Sequence, residues 1–318
     1  MATEASRRIR DRRRGAVAGV LSLVALLMPA CGSAASGSST GPQPSGRHLS
    51  VVAGENFWGS IATQLGGSLV TVTSVVSDPN ADPHTYETDT SAARAFATAD
   101  YVVVNGAGYD AWADRLLAAN PSSRRRVLTV AALLGKREGD NPHFWYSPDD
   151  VVRVADRIAS DLRSIDSADS DYLTARRAAF TTALAPYTGR IAAIRARFAG
   201  QRIAATESIF EYMAGALGLV LVSPPEFMKA VAEGNDPPAD SVAAFQQALT
   251  TREATALVYN VQTSTDVTSN LKQLAVAQGI PVVAVSETLQ PPDATFQDWQ
   301  LGQLNALDNA LNAKALAR

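Results

Sequence analysis

The chain has 318 residues, of which 46% are hydrophobic and 19% charged, and its formal net charge at neutral pH is −3. This length accommodates two domains or one large one, and the hydrophobic fraction excludes an intrinsically disordered chain. The charge gives no support to nucleic-acid binding, which needs a basic face. A single cysteine excludes an intramolecular disulfide framework and a cysteine-rich zinc module.

The first 31 residues have the organisation of an export signal. Residues 1–14 carry six arginines, residues 15–28 form an uncharged apolar run, and Cys31 follows a small residue. This organisation predicts a signal peptide. The apolar run is shorter than the ~20 residues of a membrane-spanning helix. Because Cys31 stands where a bacterial lipobox places its cysteine, we expect cleavage after residue 30 and a lipid at Cys31. The lipid would anchor the exported protein to the outer face of the cell membrane. The alternative is an ordinary secretory signal with a stray cysteine.

Removal of the signal changes the charge of the chain. Without residues 1–30 it has 22 basic and 29 acidic residues, a net charge of −7. This charge is compatible with cation binding, although it is also ordinary for a secreted protein. Residues 31–47 are mostly Gly, Ser, Ala, Thr and Pro, which predicts a flexible tether between the anchor and the folded part.

From residue 48 onward, short apolar runs alternate with Ala-rich helical stretches. The predicted strands cover residues 49–53, 69–76, 100–104, 126–130, 202–206, 219–222, 255–259 and 280–285. The predicted helices cover residues 57–66, 90–98, 109–119, 148–164, 208–217, 239–250, 265–278 and 296–314. Alternation of buried strands with helices predicts an α/β fold with parallel sheets.

A long gap without strand signal separates four strands from the other four. Residues 170–199 predict one long helix, which Pro186 and Gly189 would bend near its middle. The predicted architecture is therefore two lobes, each with a mainly parallel four-stranded sheet flanked by helices, joined by this helix. We assign residues 48–168 to an N-terminal lobe, 169–199 to the linking helix and 200–318 to a C-terminal lobe. Ligands of open α/β sheets bind beyond the carboxyl ends of the strands, so the site is expected there.

Two of the three histidines have matched surroundings. His84 follows Pro83 after the strand at 69–76, and His143 follows Pro142 before the helix at 148–164. A preceding proline restrains the backbone and helps to hold an imidazole at a fixed angle. The pair therefore points to metal ligands, and the alternative is two ordinary loop histidines.

Motifs of other common chemistries do not support a nucleotide site or a serine hydrolase. No G-x-S-x-G motif lies between a predicted strand and a predicted helix, and the chain has no Walker loop and no G-x-G-x-x-G after a strand. The glycines at Asn105-Gly106-Ala107-Gly108 indicate a turn between a strand and a helix.

The segments around the two histidines carry a family resemblance. Asp82–Glu87 has the pattern D-P-H-x-Y-E, and Asn141–Trp145 has the sequence N-P-H-F-W. Together with the long central helix, they make residues 48–315 resemble the metal-binding substrate-binding lipoproteins of bacterial ABC importers, the cluster A-I family of zinc and manganese receptors. The resemblance implies a non-enzymatic extracytoplasmic receptor, which captures a divalent metal between its lobes and delivers it to an ABC transporter permease with its ATPase.

The resemblance also implies four metal ligands, one from each of four loops. The first two are His84 and His143, the third is Glu207 after the first strand of the second lobe, and the fourth is Glu287 after its last strand. Two imidazoles and two carboxylates neutralise a divalent cation, and no organic cofactor is implied. From the residues alone, a helix N-terminal acid is the simpler interpretation of Glu207, and a solvated loop acid is the simpler interpretation of Glu287.

The donor set bears on the identity of the metal. The glutamate at the third position, the carboxylate-rich set and the absence of a His-rich loop favour Mn²⁺, with Zn²⁺ next and Fe²⁺ less favoured. Zn²⁺ binds a given N/O site more tightly than Mn²⁺, so purified protein is also expected to hold zinc. Binding should weaken in mild acid, because histidine ligands must be neutral.

Two other functions would use the same residues. An extracellular metallohydrolase would keep an open coordination position for water and a nearby base. An adhesin-type surface lipoprotein would hold a structural metal. Removal of that metal would unfold the protein without affecting metal uptake by the cell. We expect a monomer without a nucleic-acid partner.

Overall fold

The structure, a computed structural model, describes residues 44, 46–79 and 86–316, and the side chains up to residue 313. The predicted signal peptide, Cys31, most of the tether and His84 lie outside the described residues. The described residues form one compact unit. Among the described residues, no helix combines the length and the apolar character needed to cross a membrane.

The apolar runs form two four-stranded sheets in which all strands are parallel. The first sheet has the order β2-β1-β3-β4 and is built from β1 (Leu49–Glu55), β2 (Val70–Val76), β3 (Tyr101–Val104) and β4 (Arg126–Thr129). The second has the order β6-β5-β7-β8 and is built from β5 (Arg202–Ala205), β6 (Val220–Leu221), β7 (Leu257–Asn260) and β8 (Val282–Val285). The predicted fold class is confirmed, because each predicted strand is present and both sheets are flanked by helices.

The helices follow the predicted alternation, with two short helices in addition to the predicted stretches. They are α1 (Asn56–Gly66), α2 (Thr90–Thr98), α3 (Ala111–Ala119), α4 (Val130–Leu134), α5 (Pro148–Ile165), α6 (Ser170–Phe198), α7 (Glu211–Leu217), α8 (Pro225–Ala232), α9 (Ala239–Thr250), α10 (Asp266–Ala277) and α11 (Phe296–Leu316). The sequence does not predict α4, because its five residues continue the apolar run of β4 without a turn residue between them.

The long helix α6 packs against both lobes. It contacts α1 and α5 on the first lobe and α7 and α11 on the second, and it continues through Pro186. Its buried side chains are Leu173, Phe180, Leu184, Tyr187, Ile191, Ile194 and Phe198. Arg190 and Arg197 near its carboxyl end bind the two carboxylate oxygens of Asp308 in α11, at 2.9 and 3.0 Å. Apolar burial along the helix thus connects the two sheets.

Parallel pairing places the carboxyl ends of neighbouring strands at the same edge of each sheet. Loops that leave these edges in the two lobes contact each other. The Tyr146 hydroxyl donates to the Ser286 carbonyl at 2.8 Å, and the Leu289 amide donates to Asn56 Oδ1 at 3.1 Å. The carboxyl edges of the two sheets therefore face one another, which is where ligands of open α/β sheets bind.

Candidate metal centre

The structure brings together three of the four predicted ligands. His143, Glu207 and Glu287 each offer one ligand atom, and these atoms lie within 4.8 Å of one another. All three side chains are 0% exposed, and His143 Nε2 lies 3.2 Å from Glu207 Oε1. The fourth predicted ligand, His84, belongs to residues 80–85, which the structure does not describe.

Both glutamates have the same position relative to their strands. Glu207 stands two residues after β5, and Glu287 stands two residues after β8. Because β7 lies between β5 and β8 in the sheet, the glutamates flank the carboxyl end of β7. His143 comes from the opposite lobe, in the loop between α4 and α5.

The imidazole of His143 is oriented by Asn141. Its Nδ1 lies 2.7 Å from Asn141 Oδ1, while Asn141 Nδ2 donates to the Ser208 carbonyl at 2.8 Å and to Glu211 Oε2 at 2.9 Å. Those two bonds fix the amide, so its oxygen faces the ring and assigns the proton to Nδ1. Nε2 then directs its lone pair toward Glu207, which is the arrangement of a metal-binding histidine.

Each glutamate accepts hydrogen bonds from neutral donors. The Tyr109 hydroxyl donates to Glu287 Oε2 at 2.6 Å, and Asn260 Nδ2 donates to Glu287 Oε1 at 2.9 Å and to Glu207 Oε2. Burial raises the pKa of Tyr109 well above its usual value, and the charge of Glu287 raises it further. Tyr109 therefore remains a donor at physiological pH.

Aromatic rings form an apolar wall beside His143 and Tyr109. Phe57 stacks on Trp145 with ring centroids 3.9 Å apart, and Trp145 contacts both Tyr109 and His143 at centroid distances of 5.0 and 5.2 Å. Trp145 is 0% exposed. Apolar surroundings strengthen the electrostatic interactions of the enclosed groups.

Two further carboxyl groups are buried near Tyr109. Asp110 accepts from the amides of Asn105 and Gly106 at 2.6 and 2.7 Å, and burial raises the pKa of Asp110 to about 6. Burial, together with the neighbouring Asp110, raises the pKa of Glu55 well above its ordinary value of 4.5. Gly106 has a φ of +78°, and a Cβ there would lie 2.7 Å from the Thr129 side chain, so the turn that holds Asp110 requires glycine.

The charges of this site favour a bound cation. Glu207 and Glu287 are fully buried, and the Nε2 lone pair of His143 faces Glu207. Burying carboxylates is costly unless positive charge or protons compensate them. Imidazole nitrogen with carboxylate oxygens is a donor set that suits Mn²⁺, Fe²⁺ and Zn²⁺, so the residues fit a divalent transition metal.

Comparison with known families agrees with this chemistry. The family model described as "ZnuA: Zinc-uptake complex component A periplasmic" matches residues 51–310. The chain belongs to this family.

A curated relative of this ZnuA-family protein is a manganese-binding lipoprotein. The chain is 29% identical over 165 residues to the manganese-binding lipoprotein MntA of Halalkalibacterium halodurans, and the match covers 51% of the chain and 53% of MntA. The chain thus spans about half the length of this relative.

Solved structures share the two-lobed fold. A crystal structure of ZnuA is 23% identical, with a TM-score of 0.63, covering 84% of this chain and 98% of that one. The Mn²⁺ complex of the solute-binding protein FpvC from Pseudomonas aeruginosa is 18% identical, with a TM-score of 0.68, covering 84% and 99%. The Mn-bound S38A mutant of a periplasmic metal-binding protein from Candidatus Liberibacter asiaticus is 17% identical, with a TM-score of 0.67, covering 82% and 98%. At these identities the likeness shows the fold.

A cavity adjoins the candidate metal centre of the ZnuA-family chain. It measures about 500 Å³, and its lining includes Tyr109 and Asn141 from the first lobe and Ser208, Glu211 and Lys229 from the second. Tyr109 and Asn141 also bond to Glu287 and His143, so the cavity reaches the shell of groups around the three predicted ligands.

Sequence reasoning did not single out four polar residues of this shell. Tyr109, Asn141 and Asn260 bond directly to predicted ligands, and Glu55 lies close enough to Tyr109 to raise its pKa. Glu55 and Asn260 are the final residues of β1 and β7. A polar residue at the carboxyl end of an apolar strand is therefore the signal that could have identified these two.

Proposed function

We propose that this ZnuA-family protein is an extracytoplasmic solute-binding protein that captures a divalent metal ion between its lobes and delivers it to an ABC importer. Mn²⁺ is the favoured cargo, and Zn²⁺ is next. The observation that carries the proposal is the convergence of His143, Glu207 and Glu287 within 4.8 Å. These residues come from both lobes and are fully buried, as ligands of an enclosed ion would be.

His84 is the proposed fourth ligand. Its segment follows β2, whose carboxyl end lies at the edge from which the site is built. On the amino-terminal side of the segment, the Pro79 carbonyl accepts from Gln290 Nε2 at 3.0 Å, and the Asp78 carbonyl lies 3.5 Å from Thr288 Oγ1. These contacts bring the chain beside the loop of Glu287, which supports a ligand from residues 80–85.

The choice of Mn²⁺ over Zn²⁺ rests on the donor set. Two carboxylates and two imidazoles offer more oxygen than the nitrogen- and sulfur-rich sets of structural zinc sites. The similarity to a manganese-binding lipoprotein supports the same choice. Because Zn²⁺ binds N/O donors more tightly than Mn²⁺, zinc is expected to compete at this site.

The enclosure of the site supports a metal receptor more than a metallohydrolase. A catalytic metal keeps an open position for water beside a substrate. The three side chains described here are 0% exposed, and the rings of Tyr109 and Trp145 pack against His143. This enclosure suits the retention of a bare ion rather than the turnover of an organic substrate.

Delivery to an importer would follow from the placement of ligands on both lobes. Capture of the ion joins the loop of His143 to the loops of Glu207 and Glu287, so it favours the closed arrangement of the lobes. A permease with its ATPase could then distinguish the loaded receptor from the empty one. The lipid proposed at Cys31 would keep the receptor at the membrane that holds the importer.

Calorimetric titration tests the function. Mn²⁺ and Zn²⁺ are titrated into metal-free protein and into the variants His84→Ala, His143→Ala and Glu207→Ala. Each variant is expected to lose at least about 100-fold in affinity, because a ligand bond is removed from a site with few donors.

Two exposed residues provide matched controls. His48→Ala and Glu253→Ala remove a histidine and a glutamate that lie on the surface, and both variants should bind like the wild type. Unchanged affinity in His143→Ala and Glu207→Ala would refute the proposed site. Turnover of ester or peptide substrates by the Zn²⁺-loaded protein would favour the hydrolase instead.

A further inference from the structure

The side chain of Asn260 occupies the position between the two glutamates. Asn260 is the last residue of β7, the strand between β5 and β8, and is 1% exposed. Its Nδ2 donates one hydrogen bond to Glu287 Oε1 at 2.9 Å and another to Glu207 Oε2. One amide group therefore uses both of its hydrogens on the two carboxylates.

The orientation of this amide is fixed by the backbone. The side-chain oxygen Oδ1 of Asn260 accepts from the backbone N–H of Gln262 at 3.1 Å. The backbone N–H of Asn260 itself donates to Thr206 Oγ1 at 3.2 Å. If the side-chain amide were rotated by half a turn, its oxygen would face two carboxylates and its NH₂ would face an N–H group. Since both contacts would then be repulsive, the amide has one stable orientation.

Gln262 extends this restraint to the loop that carries Glu287. Its Oε1 accepts from the amides of Glu287 and Thr288 at 2.7 and 3.0 Å, and its Nε2 donates to Thr288 Oγ1 at 2.9 Å. The loop after β7 thus holds both the backbone and the carboxylate of Glu287.

We propose that Asn260 is a positioning residue that makes Glu207 and Glu287 one-oxygen ligands and thereby tunes the site toward a low coordination number. The inference rests on the proposed function, because it concerns how the same site selects its ion. The amide holds Oε2 of Glu207 and Oε1 of Glu287, and the Tyr109 hydroxyl holds Oε2 of Glu287. Each carboxylate can bind an ion through a remaining lone pair of one oxygen, but turning both oxygens toward the ion would bend or break a buried hydrogen bond.

This restraint acts differently on the two candidate ions. Zn²⁺ is satisfied by four donors in a tetrahedron, which two imidazoles and two one-oxygen carboxylates would supply. Mn²⁺ prefers about six oxygen-rich donors, and carboxylates that bind through both oxygens would help to reach that number. Asn260 therefore lowers the preference for Mn²⁺ that the carboxylate-rich donor set would otherwise give, and it lets Zn²⁺ compete.

The test compares two affinities in each of several variants. Competition titrations with a chelator give the dissociation constants of Zn²⁺ and Mn²⁺ for wild type, Asn260→Ala and Asn260→Asp. The aspartate keeps the size of the side chain and the acceptor for the Gln262 amide, but in its ionised form it has no hydrogen to donate to the glutamates. In both variants we expect Zn²⁺ affinity to fall about 10- to 100-fold and Mn²⁺ affinity to fall much less. The ratio of the Mn²⁺ affinity to the Zn²⁺ affinity should thus rise by about tenfold.

A buried amide outside the metal centre controls for a general loss of packing. Gln300 in α11 is 1% exposed, so Gln300→Ala should leave the ratio unchanged. X-ray absorption at the zinc edge adds a structural readout, in which the number of oxygen neighbours is expected to rise in Asn260→Ala.

The outcomes separate this inference from the function on which it rests. Equal losses for both ions in Asn260→Ala, or an unchanged ratio in Asn260→Asp, would overturn the positioning role while leaving the metal site intact. If the wild type binds neither ion, or if Glu207→Ala binds like the wild type, the proposed function fails first. A folded Asn260→Asp variant keeps the test decisive if Asn260→Ala does not fold.

Discussion

At the scale of single residues, the metal centre depends on neutral groups that hold charged ones. Asn141 directs the His143 ring, while Tyr109 and Asn260 hold the Glu287 carboxylate. Tyr109 and Asn260 bring no charge of their own at physiological pH, so they stabilise the buried carboxylates without cancelling their attraction for a cation. The proposed metal ion would supply the positive charge.

Glu55 is a titrating group whose effect on stability can be measured. Its pKa is raised in the folded protein by burial and by Asp110, so the folded state keeps a proton that the unfolded chain releases above about pH 4.5. The free energy of unfolding of the metal-free protein should therefore fall as the pH rises from 5 toward 8. Asp110 should likewise lower the free energy of unfolding as the pH rises, because burial raises its pKa from 3.8 to about 6.

Glu55→Gln removes the contribution of this group. Glutamine is neutral at every pH, so the variant should lose less stability than the wild type between pH 5 and pH 8. Urea unfolding at pH 5, 6, 7 and 8 in the presence of a chelator measures the difference, and the exposed variant Glu253→Gln should follow the wild type. Parallel pH profiles for Glu55→Gln and wild type would show that Glu55 is ionised in the folded protein.

At the scale of elements, apolar runs predicted the strands well because both sheets are parallel and their central strands are buried. β3, for example, is buried along its whole length, so its sequence is a continuous apolar run. The helix α4 was missed for the same reason, since Val130–Leu134 is as apolar as the strand before it. Local sequence does not show where such a run changes from strand to helix.

The site itself was predictable only in part. His143 and Glu207 lie in recognisable segments, and Glu287 follows a predicted strand. By contrast, the bond between Tyr109 and Glu287 joins residues that are 178 positions apart, and that between Asn260 and Glu207 joins residues 53 apart. Such contacts arise from strand order and lobe packing, which one sequence does not reveal.

The helix α6 makes a testable contribution to both lobes. Ile194 on its inner face is 0% exposed, so Ile194→Ala should lower the free energy of unfolding by about 2–5 kcal/mol through loss of buried methyl groups and the cavity left behind. Urea or thermal unfolding followed by circular dichroism provides the measurement. Val276 is 62% exposed, and Val276→Ala should change stability by less than about 0.5 kcal/mol. If Ile194→Ala lowered the free energy of unfolding by no more than Val276→Ala, the result would contradict the packing described for α6.

At the scale of the whole molecule, two sheets face each other through their carboxyl edges, and α6 packs against both lobes. The predicted ligands come from both edges, His143 from the first lobe and the glutamates from the second. This arrangement explains why the charged residues of the site are far apart in the sequence. It also gives the proposed metal a role in holding the lobes together, because no single lobe supplies the full donor set.

Anomalous X-ray diffraction from crystals grown with Mn²⁺ tests the central claim most directly, because it locates the ion without reference to affinity. Data collected near the manganese edge should show one strong peak about 2.0–2.3 Å from His143 Nε2 and from oxygens of Glu207 and Glu287. The electron density of the same crystals should show the His84 imidazole in contact with this peak. A peak elsewhere on the molecule, or no peak near these residues in crystals that contain manganese, would contradict the account.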